Sequence, residues 1–158
     1  MSRESVQSFL AEHAPDLAII DHGRSTATVA EAAAALNVTP ARIAKTLSLR
    51  APEGVVLIVA RGDARLDNAK MKSAFGGRAR MLSPDEVSSL TGHPVGGVCP
   101  FGLATSLPIL CDVSLRDFAT VFPAAGSQTS SIEVAPERLA TLVDARWVDV
   151  CSPTLPEG

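Results

Sequence analysis

Apolar positions along the chain fall into short runs of two different periods. Val6, Phe9 and Leu10 recur at helical spacing, and Pro15 ends the helix they define. Ile19 and Ile20 predict a short strand. Thr28 and Glu31 stand three apart ahead of EAAAAL, the pattern of a capping box, and Asn37 suits the end of that helix. Thr39-Pro40 repeats the start signal and predicts a short helix through Ala44 or Lys45, with a strand following from LSL. APEG (51–54) is a turn. VVLIVA (55–60) is apolar on both faces, which predicts a central strand covered from both sides.

The second half reads in the same way. Asp67 or a neighbour caps NAKMKSAF, in which Met71 and Phe75 share a face before Gly76-Gly77 stop the helix. ARML is a short strand, and Ser83-Pro84-Asp85-Glu86 opens a helix that Thr91-Gly92 close. PILCDV predicts a strand, and Val121-Phe122 another, with SIEV (131–134) returning from a hairpin around AAGSQT. Pro136 begins the last helix, ARWVDV alternates like an edge or half-buried strand, and 151–158 read as a frayed tail. The elements lack a regular β-α-β rhythm, so the expected class is α+β: one domain over 1–158, with a mixed sheet flanked by helices.

At 158 residues and 46% apolar content, the chain is long enough to build one core. No apolar run approaches a membrane span and the first residues lack the layout of a signal peptide, so a soluble cytoplasmic protein is expected. Cys99, Cys111 and Cys151 have no paired spacing and read as reduced thiols. His13, His22 and His93 are scattered and read as surface residues, so neither metal nor cofactor is expected. The net charge of -3 conceals a segregation, because residues 42–80 hold nine Lys/Arg against three acids. That segment is either a footprint for phosphates or a set of solvated cationic faces. Tyr is absent and Trp147 stands alone and far away, which gives no support for base stacking.

No metalloprotease, dinucleotide, P-loop or nucleophile-elbow motif occurs. What remains is the loop TGHPVGGVCPFG (91–102). Gly96 and Gly97 can present consecutive N–H groups to one anion or let a substrate approach the main chain, while Pro100 fixes the backbone after them. A tight crossover packed on the sheet explains the same residues, and Gly102 fits either reading. Lys45 has two explanations as well. It complements a helix dipole, or its apolar neighbours Ile43, Ala44 and Leu47 hold an ammonium ready for a carbonyl, carboxylate or phosphate.

Lys45-Thr46-Leu47 before an apolar strand, then RGDARLD, GGVCPFG, PILCD and AAGS ahead of SIEV: in this order the segments resemble the YbaK/EbsC family of trans-editing aminoacyl-tRNA deacylases. These are relatives of the editing domain of bacterial prolyl-tRNA synthetases, and the likeness runs from about residue 20 to 150. It implies a mixed, strongly bent sheet flanked by helices, with a small pocket for the amino acid on a mischarged tRNA. Lys45 takes the place of the essential lysine, and Gly96-Gly97 that of the loop lining the reacting carbonyl. Thr46, Val98, Cys99, Pro100 and Gly102 are the implied pocket neighbours, and His22, Ser127 and Gln128 its candidate walls. Cys99 is read as a loop-packing residue, not a nucleophile.

The implied activity is ester hydrolysis on tRNA carrying cysteine or another small residue, foremost Cys-tRNA(Pro). In that case the thiol of the substrate itself serves as nucleophile. The alanine-specific branch places a histidine in the late glycine hairpin, where this chain has Ser127-Gln128-Thr129, which leans away from alanine. Alanine, serine and threonine stay open as alternative substrates, as does a non-catalytic module that binds aminoacylated tRNA or a free small amino acid. The implied partner is tRNA, its acceptor phosphates meeting the basic segment, and a role for prolyl-tRNA synthetase is left open.

Overall fold

The computed structural model describes residues 2–152. Its five α-helices and ten strands are, in chain order, α1 (Ser2–His13), β1 (Ile20–Asp21), α2 (Val29–Leu36), β2 (Ile43–Ala51), β3 (Gly54–Arg61), β4 (Arg65–Leu66), α3 (Asn68–Phe75), β5 (Arg80–Met81), α4 (Pro84–Thr91), β6 (Ile109–Asp112), β7 (Phe122–Pro123), β8 (Ser130–Ser131), α5 (Pro136–Leu142), β9 (Arg146–Val148) and β10 (Cys151–Ser152). The main sheet runs β5-β2-β3-β6-β9, and β7 also pairs with β2. It is mixed, since β2 is antiparallel to β3 and β5, whereas β7 on β2, β6 on β3 and β9 on β6 are parallel. This is the α+β class expected from the sequence.

The unbroken apolar run of β3 follows from cover on both faces. Leu57 and Val59 enter a core built with Val6 and Leu10 of α1, Leu115 and Leu139. Ile58 and Ala60 point the other way, into a second core with Leu49, Met71 of α3 and Leu110. Full burial of such side chains contributes roughly 1.5–3 kcal/mol each. A third, smaller cluster joins Ala32 and Ala33 of α2 to Ile43 and Phe122.

Helix starts follow the sequence signals, with one refinement. Ser83 and Glu86 form the reciprocal capping box of α4. At α2, Thr28 accepts from the Glu31 N–H at 3.1 Å, but the Glu31 carboxylate accepts from the hydroxyls of Thr28 and Ser25. Asn37 closes that helix in the left-handed region at φ 56°.

Three expectations are corrected. Thr39-Pro40 opens only a three-residue 3-10 turn, Pro40–Arg42, without a side-chain cap bond, and β2 begins at Ile43. Lys45 is therefore the third residue of a strand, with Ala60 opposite it, and not the last turn of a helix. Val113 leaves the strand read from PILCDV for a 3-10 turn, because the Asp112 carboxylate accepts from the Ser114 N–H at 2.9 Å. Cys151 and Ser152, read as frayed tail, pair with Leu66 and Arg65; residues 153–158 lie outside the described residues. The hairpin around AAGSQT forms, with Val121 bridging Val134 and Ala124 bridging Ser131.

His93 is also corrected, from surface to core, for it has no exposed area. Its Nε2 lies 2.7 Å from the Phe101 carbonyl, which can only accept, so that nitrogen carries the proton. Nδ1 lies 2.6 Å from the oxygen of the Ser2 hydroxyl, which also donates to the Gly126 carbonyl, and the contact ties α1 to the end of α4. Burial holds the His93 imidazole below its ordinary pKa, and His22 is shifted the same way for the same reason. Unfolding therefore takes up protons in the range where a free imidazole charges. Stability is complete above about pH 6.5 and falls as the pH drops below it. Urea midpoints should decline between about pH 7 and about pH 5, and His93→Gln, though less stable at neutral pH, should flatten that slope.

Candidate active site

The outer edge of β2 is covered only at its ends. β7 takes Ile43 and Ala44, β5 takes Leu49 and Arg50, and neither reaches the residues between. A cavity of about 280 Å³ opens at this gap, at the small end of ligand pockets. Its walls come from the start of α2, from α4, from the hairpin after β7 and from the loop after α4. Strand alternation turns Ile43 and Lys45 to one face and Ala44, Thr46 and Ser48 to the other, and all five line the cavity. A larger hollow of about 690 Å³ lies beside Phe75, Pro108 and Arg146 and includes none of the residues singled out by the sequence.

Lys45, Thr46, Gly96 and Val98 meet at the cavity. Among the described residues Lys45 contributes its only formal charge, and no Asp or Glu lines it. The Lys45 ammonium is engaged elsewhere, donating to the Ala64 carbonyl. Burial pulls its pKa below that of a free lysine, with the Asp63 carboxylate opposing the shift. The Thr46 hydroxyl oxygen is buried and has no hydrogen-bond partner.

The glycine loop divides its expected duties. Gly96 has φ +91° and lies so close to Ala27 that a Cβ would come within 2.8 Å of a side-chain atom. Gly97 does not line the cavity; its N–H donates to the Pro94 carbonyl, closing a turn. It packs on the Ser127 main chain, where a Cβ would stand 2.8 Å from the carbonyl carbon. A nest of two consecutive donors is thus not formed, and Gly96 alone keeps an N–H without a main-chain partner among the described residues.

The other residues expected around the pocket stand behind its walls. His22 Nε2 is 2.9 Å from the hydroxyl of Ser131, a lining residue. Gln128 donates to the carbonyl of Val95, also a lining residue, at 2.7 Å. Ser127 contacts the Ser130 hydroxyl at 2.6 Å. Pro100 is buried, and Gly102 rests against the Ser5 carbonyl of α1. Cys99 is fully buried 3.6 Å from His93 Nε2. That nitrogen already carries a proton for Phe101, so it cannot take one from the thiol, and burial pushes the thiol up to about 12. The pair is a packing contact and not a nucleophile with its base.

Sequence reading missed Thr26, Ser48, Phe122 and Ser131 as lining residues. Thr28 was legible only as a helix cap, yet it lines the cavity too. Much of the basic segment is neutralised by acids within and outside it. Arg42 pairs with Glu133, Arg50 with Glu86, Arg61 with Asp63 and Asp117, and Lys70 with Asp149. Arg65, Lys72, Arg78 and Arg80 are exposed and, among the described residues, form no ion pair. No group of histidine, cysteine and acidic side chains suited to a metal occurs among the described residues, nor is any helix long and apolar enough to cross a membrane.

Comparison with known proteins adds to this geometry. The family model described as Aminoacyl-tRNA editing domain matches residues 24–142. The Bacillus subtilis protein YwhH is 47% identical over 153 residues, 96% of this chain and 98% of that protein. Enterococcus faecalis EbsC, provisionally named a Cys-tRNA(Pro)/Cys-tRNA(Cys) deacylase, is 28% identical over 128 residues, 80% of this chain and 76% of that one. A crystal structure provisionally described as a trans-editing enzyme for prolyl tRNA synthetase superposes with a TM-score of 0.88 at 32% identity, covering 96% of this chain and 98% of the other.

The contact of Gly97 with the Ser127 main chain makes a sharp demand on the loop. Gly97→Ala should force the two segments apart, lowering stability by about 1–3 kcal/mol in denaturant unfolding, while Val98→Ala, which only shortens a half-buried side chain, should cost less.

Proposed function

The chain belongs to the aminoacyl-tRNA editing domain family, and from that membership we propose that it hydrolyses the ester of misacylated tRNA, foremost cysteine or another small amino acid on tRNA(Pro). The observation that carries the proposal is the convergence of Lys45 and Gly96 on one small cavity. The names given to EbsC and to the trans-editing crystal structure support the substrate and make prolyl-tRNA synthetase a proposed partner. The exposed Arg65, Lys72, Arg78 and Arg80 are proposed to meet acceptor phosphates, through contacts that weaken with salt.

Ester hydrolysis builds negative charge on the carbonyl oxygen. In this reading Lys45 turns from the Ala64 carbonyl toward that oxygen, and the Gly96 N–H assists it. An aminoacyl ester is already activated, so positioning and charge stabilisation replace a nucleophile-base pair. The present engagement of the ammonium by Ala64 favours one second reading, a module that binds aminoacylated tRNA without turnover.

Single-turnover hydrolysis over a panel of misacylated tRNAs, with equilibrium binding measured beside it, separates the two. The wild type should deacylate at least one member, and Lys45→Ala should slow that reaction about a hundredfold or more without loss of fold. Saturable binding with every ester left intact would establish the binding module instead; undiminished turnover by Lys45→Ala would remove the lysine from the chemistry.

A further inference from the structure

Thr46 is left with three polar groups unpaired, and their directions define a ligand. The Ser48 carbonyl accepts from the Leu82 N–H, so the main-chain groups of Ser48 face the outer edge of β2. Main-chain groups alternate direction along a strand, which turns the N–H and C=O of Thr46 to the same edge. β7 ends its pairing at Ala44 and β5 at Leu49, and no loop among the described residues bonds to Thr46 there. The Thr46 hydroxyl oxygen is buried and unpartnered as well. A buried hydroxyl is rarely left so, and Thr46 is among the residues that line the cavity.

We infer that the aminoacyl group binds as the missing residue of this sheet edge: its carbonyl accepts from the Thr46 N–H, its α-ammonium donates to the Thr46 carbonyl, and its side chain stands beside the Thr46 hydroxyl. The inference rests on the deacylase reading for the identity of the ligand. An amino acid esterified through its carboxyl group offers one acceptor and one donor at the spacing of a residue in an antiparallel pair. No carboxylate lines the cavity among the described residues, so the α-ammonium is met by neutral oxygen, and the Thr46 carbonyl is turned to the open edge. Directly opposed residues of a pair share a face, which brings the substrate side chain to Thr46. A hydroxyl or thiol there satisfies the orphaned oxygen, and a methyl group leaves it unpaired. Thr46 is thereby a specificity-determining residue that favours seryl and cysteinyl over alanyl groups.

The test uses the full chain and adenosine analogues in which an amide replaces the 3′ ester, so that binding is read without turnover. At saturation with the seryl analogue, hydrogen exchange at the Thr46 amide should slow at least about tenfold. Removing the α-amino group from the analogue should weaken binding by about tenfold. Thr46→Val should reduce the preference for seryl over alanyl by about the same factor, and Thr46→Ser should retain it. An unprotected Thr46 amide at saturation, an equal loss for seryl and alanyl in Thr46→Val, or no binding of any analogue would each overturn the inference. Protection of the amide in a protein that hydrolyses no misacylated tRNA would sink the deacylase reading and leave the edge-binding inference standing. Hydrolysis with the amide unprotected would do the reverse.

Discussion

Main-chain bonding along the outer edge of β2 stops after Ala44 and resumes at Ser48, whose carbonyl accepts from the Leu82 N–H, and the cavity is the product of that interruption. A strand that ran the whole edge would satisfy Thr46 and fill the space. Instead two short strands share the edge, and the gap between them is walled by α2, α4 and two loops. The inner edge of β2 is paired with β3 from Ala44 to Ala51, which keeps the gap from collapsing. An open edge in the middle of a sheet leaves main-chain donors and acceptors without the protein partners that the rest of the strand has. Its retention here is the clearest structural sign that something else comes to pair with it.

The walls of the gap are held by main-chain contact more than by side-chain packing. Gly96 meets Ala27 and Gly97 meets Ser127, so the loop after α4 is pressed between the segment before α2 and the late hairpin. These two segments are joined in turn, for the Thr26 N–H and the His22 N–H donate to the carbonyls of Gln128 and Thr129. Below them, Phe101, His93 and Cys99 anchor the loop in the core beside α1. The flexibility of a glycine-rich sequence is spent on close approach, and the result is a wall fixed from three sides.

Elements with strong local signals were legible in the sequence, and those decided by tertiary pairing were not. The Ser83 box, the Asn37 cap and the apolar run of β3 each carry their instruction within a few residues. Thr39-Pro40 carries an ambiguous one, since a cap and a proline open a 3-10 turn as readily as an α-helix. The alternation from Ile43 onward, anchored by β3, decided in favour of strand. Lys45 and Gly96 were recognisable from motif order, but Ser48, Ser131 and Thr26 line the cavity only because β5, β7 and the hairpin stop where they do. Gly97 was read as a donor on the strength of its neighbour, whereas the turn back to Pro94 that occupies its N–H has no signature beyond the glycine itself. The local excess of positive charge was visible too, while its partners Glu133, Asp117 and Asp149 lie far off in sequence.

The chemistry available to the cavity is limited by what surrounds it. Cys99, Cys111 and Cys151 are all buried and pushed up to about 12, so none supplies a thiolate near neutral pH. His93 is locked between Ser2 and Phe101. Lys45 is left, half-buried and bonded to a neutral carbonyl. In the proposed reaction this arrangement favours the transition state over the substrate. A neutral ester carbonyl competes with Ala64 on about equal terms and gives the ammonium little reason to move. A developing oxyanion adds the attraction of two opposite charges to that bond, in a cavity that no carboxylate lines among the described residues. The lysine is then drawn to the substrate only as negative charge appears, which is the condition for binding energy to lower a barrier and not merely to tighten a complex.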